Sequence, residues 1–157
     1  MSNFINITGN CMWARVFPDN KDLTGWEDAV KDLGGQYTVE LECDEDSVEA
    51  LTRLGSQAVD YQKTKPNQDG EEKTFMRFKR VHEKYDRKGN LLEWASGAPK
   101  VVGPDGKPWN VEEDGFIGNG SKLQLRVCVY TAGRAVGTRL EEVKVLDYVA
   151  PPETVDA

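Results

Sequence analysis

The stretch from Lys122 to Val129 reads K-L-Q-L-R-V-C-V, an unbroken alternation of apolar and polar side chains. Successive side chains of a β-strand point to opposite faces, so a period of two is typical of a strand that is buried on one side. We therefore predict a strand here, with its apolar face in the core. That face comprises Leu123, Leu125, Val127 and Val129, and the polar face comprises Lys122, Gln124 and Arg126.

Other segments repeat this pattern and predict a mainly β chain. Gln36 to Cys43 reads Q-Y-T-V-E-L-E-C, and Glu142 to Tyr148 alternates in the same way. Thr74 to His82 and Cys11 to Phe17 are further strand candidates. The motif from Pro104 to Lys107, P-D-G-K, predicts a tight hairpin turn, because Asp-Gly supplies the positive φ that such a turn needs.

One long helix is expected among the strands. Asp44 or Asp46 can begin it, because a carboxylate there accepts hydrogen bonds from the free N–H groups of the first turn. The segment runs to about Gln62 and is weakened in the middle by Gly55. A shorter helical turn is predicted from Trp26 to Leu33. The residues that would share the buried face of the long helix are Val48, Leu51, Leu54 and Val59.

Five or so strands with one inserted helix fit a small barrel. We predict a mainly β fold, an OB-fold-like five-stranded partly open barrel with one inserted α-helix. A β-sandwich is the alternative, because period-two patterns alone do not separate the two. We expect residues 1–149 to form one domain and residues 150–157, which include two prolines, to form a flexible and weakly acidic C-terminal tail.

Composition and charge exclude several classes of protein. The chain of 157 residues carries 20 Lys and Arg against 27 Asp and Glu, a net charge of −7, which excludes a uniformly basic nucleic-acid binder but not a locally basic surface. We find neither a signal peptide nor an apolar run of the roughly 18–20 residues that a membrane span requires, so the cytoplasm is the predicted location. Cys11, Cys43 and Cys128 form no C-x-x-C motif, and we expect buried thiols.

Groups that could carry catalysis are sparse in the sequence. The single histidine, His82, lies in a charged strand with no Ser or Cys motif around it, so no catalytic triad can be argued. The acidic clusters at Asp44–Asp46 and Glu112–Asp114 suggest a metal-dependent nuclease as one hypothesis, but a solvated helix start and a loop account for them. We therefore predict that the protein is not an enzyme and holds no metal or cofactor.

The distribution of positive charge is more informative than its total. The segment from Lys73 to Lys88 has a local net charge of +5, and Phe75, Phe78 and Tyr85 are interleaved with its bases. Cations that follow a phosphate backbone and flat rings on which bases stack are the two ingredients of single-strand binding. The competing interpretation is a charged β-hairpin whose aromatic side chains face the core.

The C-terminal third carries a familiar arrangement of turns and apolar positions. Lys100 to Pro108 reads K-V-V-G-P-D-G-K-P, and Phe116 to Leu123 reads F-I-G-N-G-S-K-L. Gly137 to Leu140 and Val143 to Leu146 complete the pattern. Over about residues 99–148 this resembles the single-stranded DNA-binding proteins of tailed bacteriophages, the OB-fold replication and recombination proteins, and Gly9 to Pro18 is more loosely similar to their first strand.

The resemblance implies a protein that binds single-stranded DNA without sequence specificity and protects it during phage DNA replication or recombination, in the cytoplasm of the infected bacterial host. It also implies contact with phage replication or recombination enzymes, and the oligomeric state stays open, a homodimer included. The alternative function is an acidic β-barrel adaptor or structural phage protein that binds other proteins. The predicted DNA-binding residues are Lys63, Lys65, Arg77, Lys79, Arg80, Trp94, Lys100, Trp109, Lys122, Arg126 and Tyr130.

Overall fold

The computed structural model describes residues 2–23, 34–132 and 135–152. Within these ranges the backbone forms seven strands, two α-helices and three 3₁₀ turns. The strands are β1 (Ser2–Arg15), β2 (Gln36–Glu42), β3 (Lys63–Pro66), β4 (Glu72–Val81), β5 (Lys100–Val102), β6 (Lys122–Ala132) and β7 (Ala135–Asp147). The helices are α1 (Glu45–Arg53) and α2 (Val111–Asp114), and the 3₁₀ turns are Pro18–Asn20, Gln57–Tyr61 and Glu93–Ala95.

The first strand is long enough to belong to two half-sheets. Residues 2–10 of β1 pair antiparallel with β6, whereas residues 11–15 pair antiparallel with β2. On one side β2 pairs with β4 and β4 with β3, and on the other side β6 pairs with β7, which pairs in parallel with β5. The described strands therefore form one sheet in the order β3-β4-β2-β1-β6-β7-β5, with β3 and β5 at its edges.

Two local features shape the middle of β1. Gly9 lies so close to the end of β2 that a Cβ atom would collide with the carbonyl oxygen of Glu42. Farther along, the register with β2 shifts between Met12 and Arg15, which marks a β-bulge. Bulges bend a strand and increase its twist. We infer that the close approach and the bulge together let β1 pass from one half-sheet to the other.

The core lies between the two half-sheets and is filled by alternating side chains. The apolar faces predicted for the segments Gln36–Cys43 and Lys122–Val129 are confirmed, because their inward side chains are buried. Partly buried side chains of α1 and the following 3₁₀ turn pack against this core. The principal core residues from the strands are Ile7, Val39, Leu41, Met76, Phe78, Leu123, Leu125, Val127, Val143 and Val145.

The predicted long helix begins where expected but ends early. The Asp44 carboxylate accepts a hydrogen bond from the Ser47 N–H at 2.8 Å, as the capping pattern predicted. The helix then stops at Arg53, and Gly55 takes a φ of 79°, which continues no helix. A 3₁₀ turn and the unpredicted strand β3 occupy the rest of the segment. The short helical turn predicted from Trp26 to Leu33 lies outside the described residues.

The prediction of a mainly β chain with an inserted helix is confirmed, but the described strands number seven instead of five, because β3 and β5 add edge strands. The sheet is not closed.

The tight turn after β5 is present, with the Gly103 N–H donating to the Lys107 carbonyl at 2.9 Å. The segment after the turn is not a strand, however, because it runs into α2, which the Asn110 side chain caps. Within the described ranges, no helix has the length and apolar character needed to cross a membrane.

Gly9→Ala is expected to lower the free energy of unfolding by about 1–3 kcal/mol, because the added methyl group forces β1 away from the Glu42 carbonyl. Urea unfolding followed by circular dichroism measures the change. Gly103→Ala is the control, since a Cβ there would meet its nearest neighbour at 3.4 Å, an ordinary contact. Equal losses for both variants would contradict the constraint at Gly9.

Candidate nucleic-acid interface

The outer surface of the half-sheet formed by β1, β2, β4 and β3 gathers basic side chains from three of those strands. Side chains alternate along β4, so Phe78 points into the core while Arg77 and Lys79 are exposed. In the cross-strand register, Thr38 of β2 lies between Lys79 and Arg15 of β1. Edge strand β3 adds its lysines on the same side. We call these side chains the basic face: Arg15, Lys63, Lys65, Lys73, Arg77 and Lys79.

Part of the basic face is already paired with carboxylates. Lys65 forms an ion pair with Glu40, and the Lys73 ammonium lies 3.9 Å from Glu42. Arg77 also lies 3.4 Å from a carboxylate oxygen of Asp22. Such pairs at a surface stabilise the fold little, because water screens them.

The other cations of the basic face are free of such pairs. Among the described residues, Arg15, Lys63 and Lys79 have no carboxylate oxygen within 4.0 Å, and all three are exposed. Unpaired and solvent-exposed cations are the groups that a phosphate backbone can reach without first breaking a contact. The basic face therefore presents both a paired set and an unpaired set of positive charges.

The phenylalanines of the basic segment do not provide stacking surfaces. Phe78 lies in the core, and Phe75, although on the outer side, is only 3% exposed. The Lys65 ammonium lies over the Phe75 ring, 5.4 Å from its centroid. Tyr85 is exposed, and its hydroxyl donates to the Glu83 carboxylate. The interpretation that these rings face the core therefore holds for Phe78, whereas Phe75 is buried on the outer side of the sheet.

Arg80 is a buried structural residue, which does not fit its prediction as a DNA contact. Its side chain is 7% exposed, because its alternation places it on the inner side of β4. The guanidinium donates to the carbonyls of Trp94, Ser96, Gly97 and Leu140 and to the carboxylate of Glu141. These bonds tie β4 to β7, two strands that are not neighbours in the sheet.

A second set of predicted residues lies on the outer side of the other half-sheet. Lys122 and Arg126 are exposed on β6, and Lys100 of β5 lies in the same cross-strand row as Arg126, with Glu142 between them. The Arg126 guanidinium stacks over the Phe4 ring at 4.6 Å. Because the inner sides of both half-sheets share one core, this second face points away from the basic face.

Trp94 and Tyr130 are brought together by an arginine that the sequence analysis did not single out. The Arg139 guanidinium lies 4.8 Å from the centroid of the Trp94 ring and 5.0 Å from that of Tyr130. Arg139 also donates to Glu141 at 2.5 Å, which links this stack to Arg80. Trp94 remains 65% exposed. Both predicted aromatic residues thus lie beside the second face.

Trp109 serves the loop that follows the tight turn. Its indole N–H donates to the Gly115 carbonyl at 2.9 Å, and its ring packs on Tyr148 with centroids 5.1 Å apart. The ring is half-buried and packs against the core. Trp109 thus covers the hairpin loop and is not a free stacking surface. This position does not fit its prediction as a DNA contact.

Trp13 is an exposed aromatic residue that the sequence analysis missed. It lies in the bulge of β1, its side chain is 59% exposed, and its φ is 53°. Its backbone N–H donates to the Asn119 side-chain oxygen at 2.8 Å. A bulky residue in this region costs on the order of 1–3 kcal/mol. No sequence signal marks such a bulge, because the apolar pattern of the segment continues through it.

The residues considered for catalysis have structural partners. The His82 Nδ1 atom lies 2.7 Å from the Tyr37 hydroxyl, and the Ser47 N–H holds the pKa of Asp44 below its ordinary value. Burial raises the pKa of both Cys11 and Cys43 to about 12, so these thiols stay protonated. No cluster of His, Cys, Asp and Glu suited to a metal ion occurs in the described part of the chain.

A first strand shared by two half-sheets that enclose one core defines an OB-like β fold, and solved structures share it. The structure of gp2.5, a single-stranded DNA-binding protein encoded by bacteriophage T7, is similar with a TM-score of 0.59 at 19% identity, over 99% of this chain and 98% of that chain. The single-stranded DNA-binding protein from bacteriophage Enc34, in complex with single-stranded DNA, gives 0.56 at 12% identity, over 94% and 88%.

These likenesses confirm the resemblance to phage single-stranded DNA-binding proteins at the level of the fold. The Enc34 protein without DNA is also similar, with a TM-score of 0.52 at 10% identity, over 94% of this chain and 83% of that chain. No protein-family model matches the sequence, and a search of curated proteins returns no match. Identities of 10–19% show a shared fold, and binding depends on the surface that this chain presents.

Arg80→Met is expected to lower the free energy of unfolding by about 3–5 kcal/mol, because it leaves several carbonyls without their donor and removes one donor from the Glu141 carboxylate, which keeps its bond from Arg139. Lys79→Met, at the exposed neighbouring position, is the matched control and is expected to change stability by about 0.5 kcal/mol or less. Chemical unfolding of the two variants measures both effects. A mild effect at Arg80 would contradict its structural role.

Proposed function

We propose that this protein binds single-stranded DNA without sequence specificity, and that the basic face is its primary binding surface. The observation that carries the proposal is the set of exposed cations on that face, of which Arg15, Lys63 and Lys79 have no carboxylate within reach among the described residues. Each cation that neutralises a phosphate releases condensed counterions, which favours binding at low salt.

The position of the basic face in the fold supports the same surface. In OB-folds the face of the second and third strands binds oligonucleotides. We infer that β1, β2, β4, β6 and β7 correspond to the five strands of such a barrel, which makes β2 and β4 its second and third strands. Their outer side is the side that carries Arg77 and Lys79. The proposal thus joins a charge pattern to the part of the fold that suits it.

The comparisons support the chemical class of the ligand. The phage proteins that share the fold are named as single-stranded DNA-binding proteins, and one was solved with single-stranded DNA. By analogy we propose a binding protein without catalytic activity, metal or cofactor. It would coat and protect single-stranded DNA during phage replication or recombination, in the cytoplasm of the infected bacterium and in contact with replication or recombination enzymes.

Several finer assignments belong to the same proposal. We propose that residues 1–149 form the binding domain, that residues 150–157 form a tail, and that the oligomeric state includes the homodimer as an alternative. The second face, with Lys100, Lys122 and Arg126, points away from the basic face, so one short strand does not reach both. We therefore assign the second face, together with Trp94 and Tyr130, to longer DNA or to a protein partner.

Lys79→Ala is expected to weaken binding to a labelled oligothymidine and to reduce the slope of log affinity against log salt by about 0.7, the value for one lost phosphate contact on a single strand. Fluorescence anisotropy over a series of NaCl concentrations measures both quantities. Lys107→Ala, in the exposed turn after β5, is the control and is expected to leave the slope unchanged.

Two outcomes would count against this proposal. Absence of binding by the unaltered protein at low salt would exclude single-stranded DNA as the ligand and favour the acidic adaptor. Equal effects of the Lys79 and Lys107 substitutions would show that binding is diffuse and that the basic face has no special role.

A further inference from the structure

We propose that Trp13 is a base-stacking platform at the edge of the basic face and that Asn119 positions it. This inference rests on the proposed function and deepens it, because it names the residue that contacts bases rather than phosphates. Stacking needs an accessible ring. Of the described aromatic residues on the half-sheet that carries the basic face, Tyr37, Phe75 and Phe78 are buried, whereas Trp13 is exposed.

The bulge in β1 accounts for the positive φ at Trp13, but it does not account for a tryptophan at that position. Among the described residues, Trp13 is the one non-glycine residue with a positive φ. A bulky side chain is unfavourable in that region, and here it also leaves an indole ring in water. Strained residues that persist in folded proteins cluster at functional sites. Glycine would adopt the backbone of this bulge without strain, so the exposed indole is a feature that binding can explain and the bend of β1 cannot.

The neighbouring loop holds this conformation in place. The Asn119 side-chain oxygen accepts the Trp13 N–H at 2.8 Å. On the same stretch of β1, the Cys11 N–H donates to the Ser121 carbonyl and the Cys11 carbonyl accepts from the Gly120 N–H, both at 2.8 Å. These bonds come from the G-N-G-S sequence noted above. They fix the backbone of the bulge from outside β1 and β2, so the position from which the indole projects does not depend on a ligand.

The position of Trp13 relative to the cations suits a strand of nucleotides. Met12, just before it, pairs with Glu40, which pairs with Arg77. Arg15, just after it, pairs with Thr38, which pairs with Lys79. The bulge thus lies between two cross-strand rows that end in cations, two strand spacings or about 10 Å away. Trp13 is thus two residues from Arg15 along β1 and two strands from the cations of β4.

The ligand that fits is a base of any identity. Every base has a π-face, so a single exposed indole adds affinity without selecting a sequence. The cations supply the phosphate contacts, which exist whether or not a base is attached. The two contributions can therefore be separated with an oligomer that has the backbone but lacks the bases.

The test compares oligothymidine with an abasic oligomer of the same length, using the full chain and anisotropy. Trp13→Gly removes the ring at a position where glycine adopts the backbone without strain, so we expect the variant to fold with equal or higher stability. Its affinity for oligothymidine is expected to fall about fivefold to 140-fold, and its affinity for the abasic oligomer is expected to stay unchanged. Leu91→Ala, which shortens an exposed apolar side chain between β4 and β5 that belongs to neither face and has no ring, is the control and should leave the ratio of the two affinities unchanged.

Asn119 is tested by the same ratio. Asn119→Ala is expected to lower the preference for oligothymidine over the abasic oligomer, because the Trp13 backbone from which the indole projects loses its hydrogen bond. Asn119→Asp keeps the accepting oxygen and is expected to restore the preference, although its added charge weakens binding to both oligomers alike. A merely structural role for Asn119 would not change the ratio.

The outcomes separate this inference from the proposed function. If the unaltered protein binds neither oligomer, the proposed function fails and the stacking role fails with it. If it prefers oligothymidine and Trp13→Gly keeps the same preference, single-strand binding stands and the stacking role alone is overturned. If Trp94→Ala removes the preference instead, bases stack beside the second face, which also overturns the inference.

Discussion

Strand β1 pairs with both half-sheets, and it can do so because Gly9 has no side chain to collide with the Glu42 carbonyl at the end of β2. Any side chain at this point would separate β1 from β2. The separation would also move β4, because β4 pairs with β2 and is not a neighbour of β1 in the sheet. The position of every cation on β4 relative to β1 therefore follows from the absence of one methyl group.

Arg80 makes a different contribution to the same architecture. The two halves of the sheet meet on the far side of the core without a ladder between β4 and β7. A guanidinium with its several donors satisfies carbonyls from β7 and from the segment between Trp94 and Gly97, which a backbone ladder would otherwise have to do. Side-chain bonding of this kind tolerates an irregular opening, whereas strand pairing requires a continuous edge.

The fold could be predicted from the sequence wherever burial imposes alternation. Strands β2 and β6 were predicted because their inner faces are apolar, and the start of α1 was predicted because Asp44 is a capping residue. Strand β3 was not, because K-T-K-P contains no apolar alternation and joins the sheet through backbone pairing at its edge. The early end of α1 was not predicted, because Val59 fits the apolar face of a longer helix. In the structure Val59 packs against the core from a 3₁₀ turn.

The candidate site was predictable only in part. The basic segment was visible, but Lys79 and Arg80 are adjacent bases, and which of them faces water depends on the carbonyl groups that surround Arg80. Those groups come from segments remote in the sequence. Trp13 was missed for a similar reason, because its exposure follows from a register shift and from a hydrogen bond to Asn119, 106 residues away.

The carboxylates interspersed on the basic face have a consequence for how long a ligand stays there. Glu40, Glu42 and Asp22 act as built-in competitors of any polyanion, because each already neutralises a cation that the ligand would use. When a bound strand dissociates, these carboxylates pair again with the cations that it leaves, so few cations remain unpaired. Such a surface favours rapid exchange of a bound polyanion over tight capture.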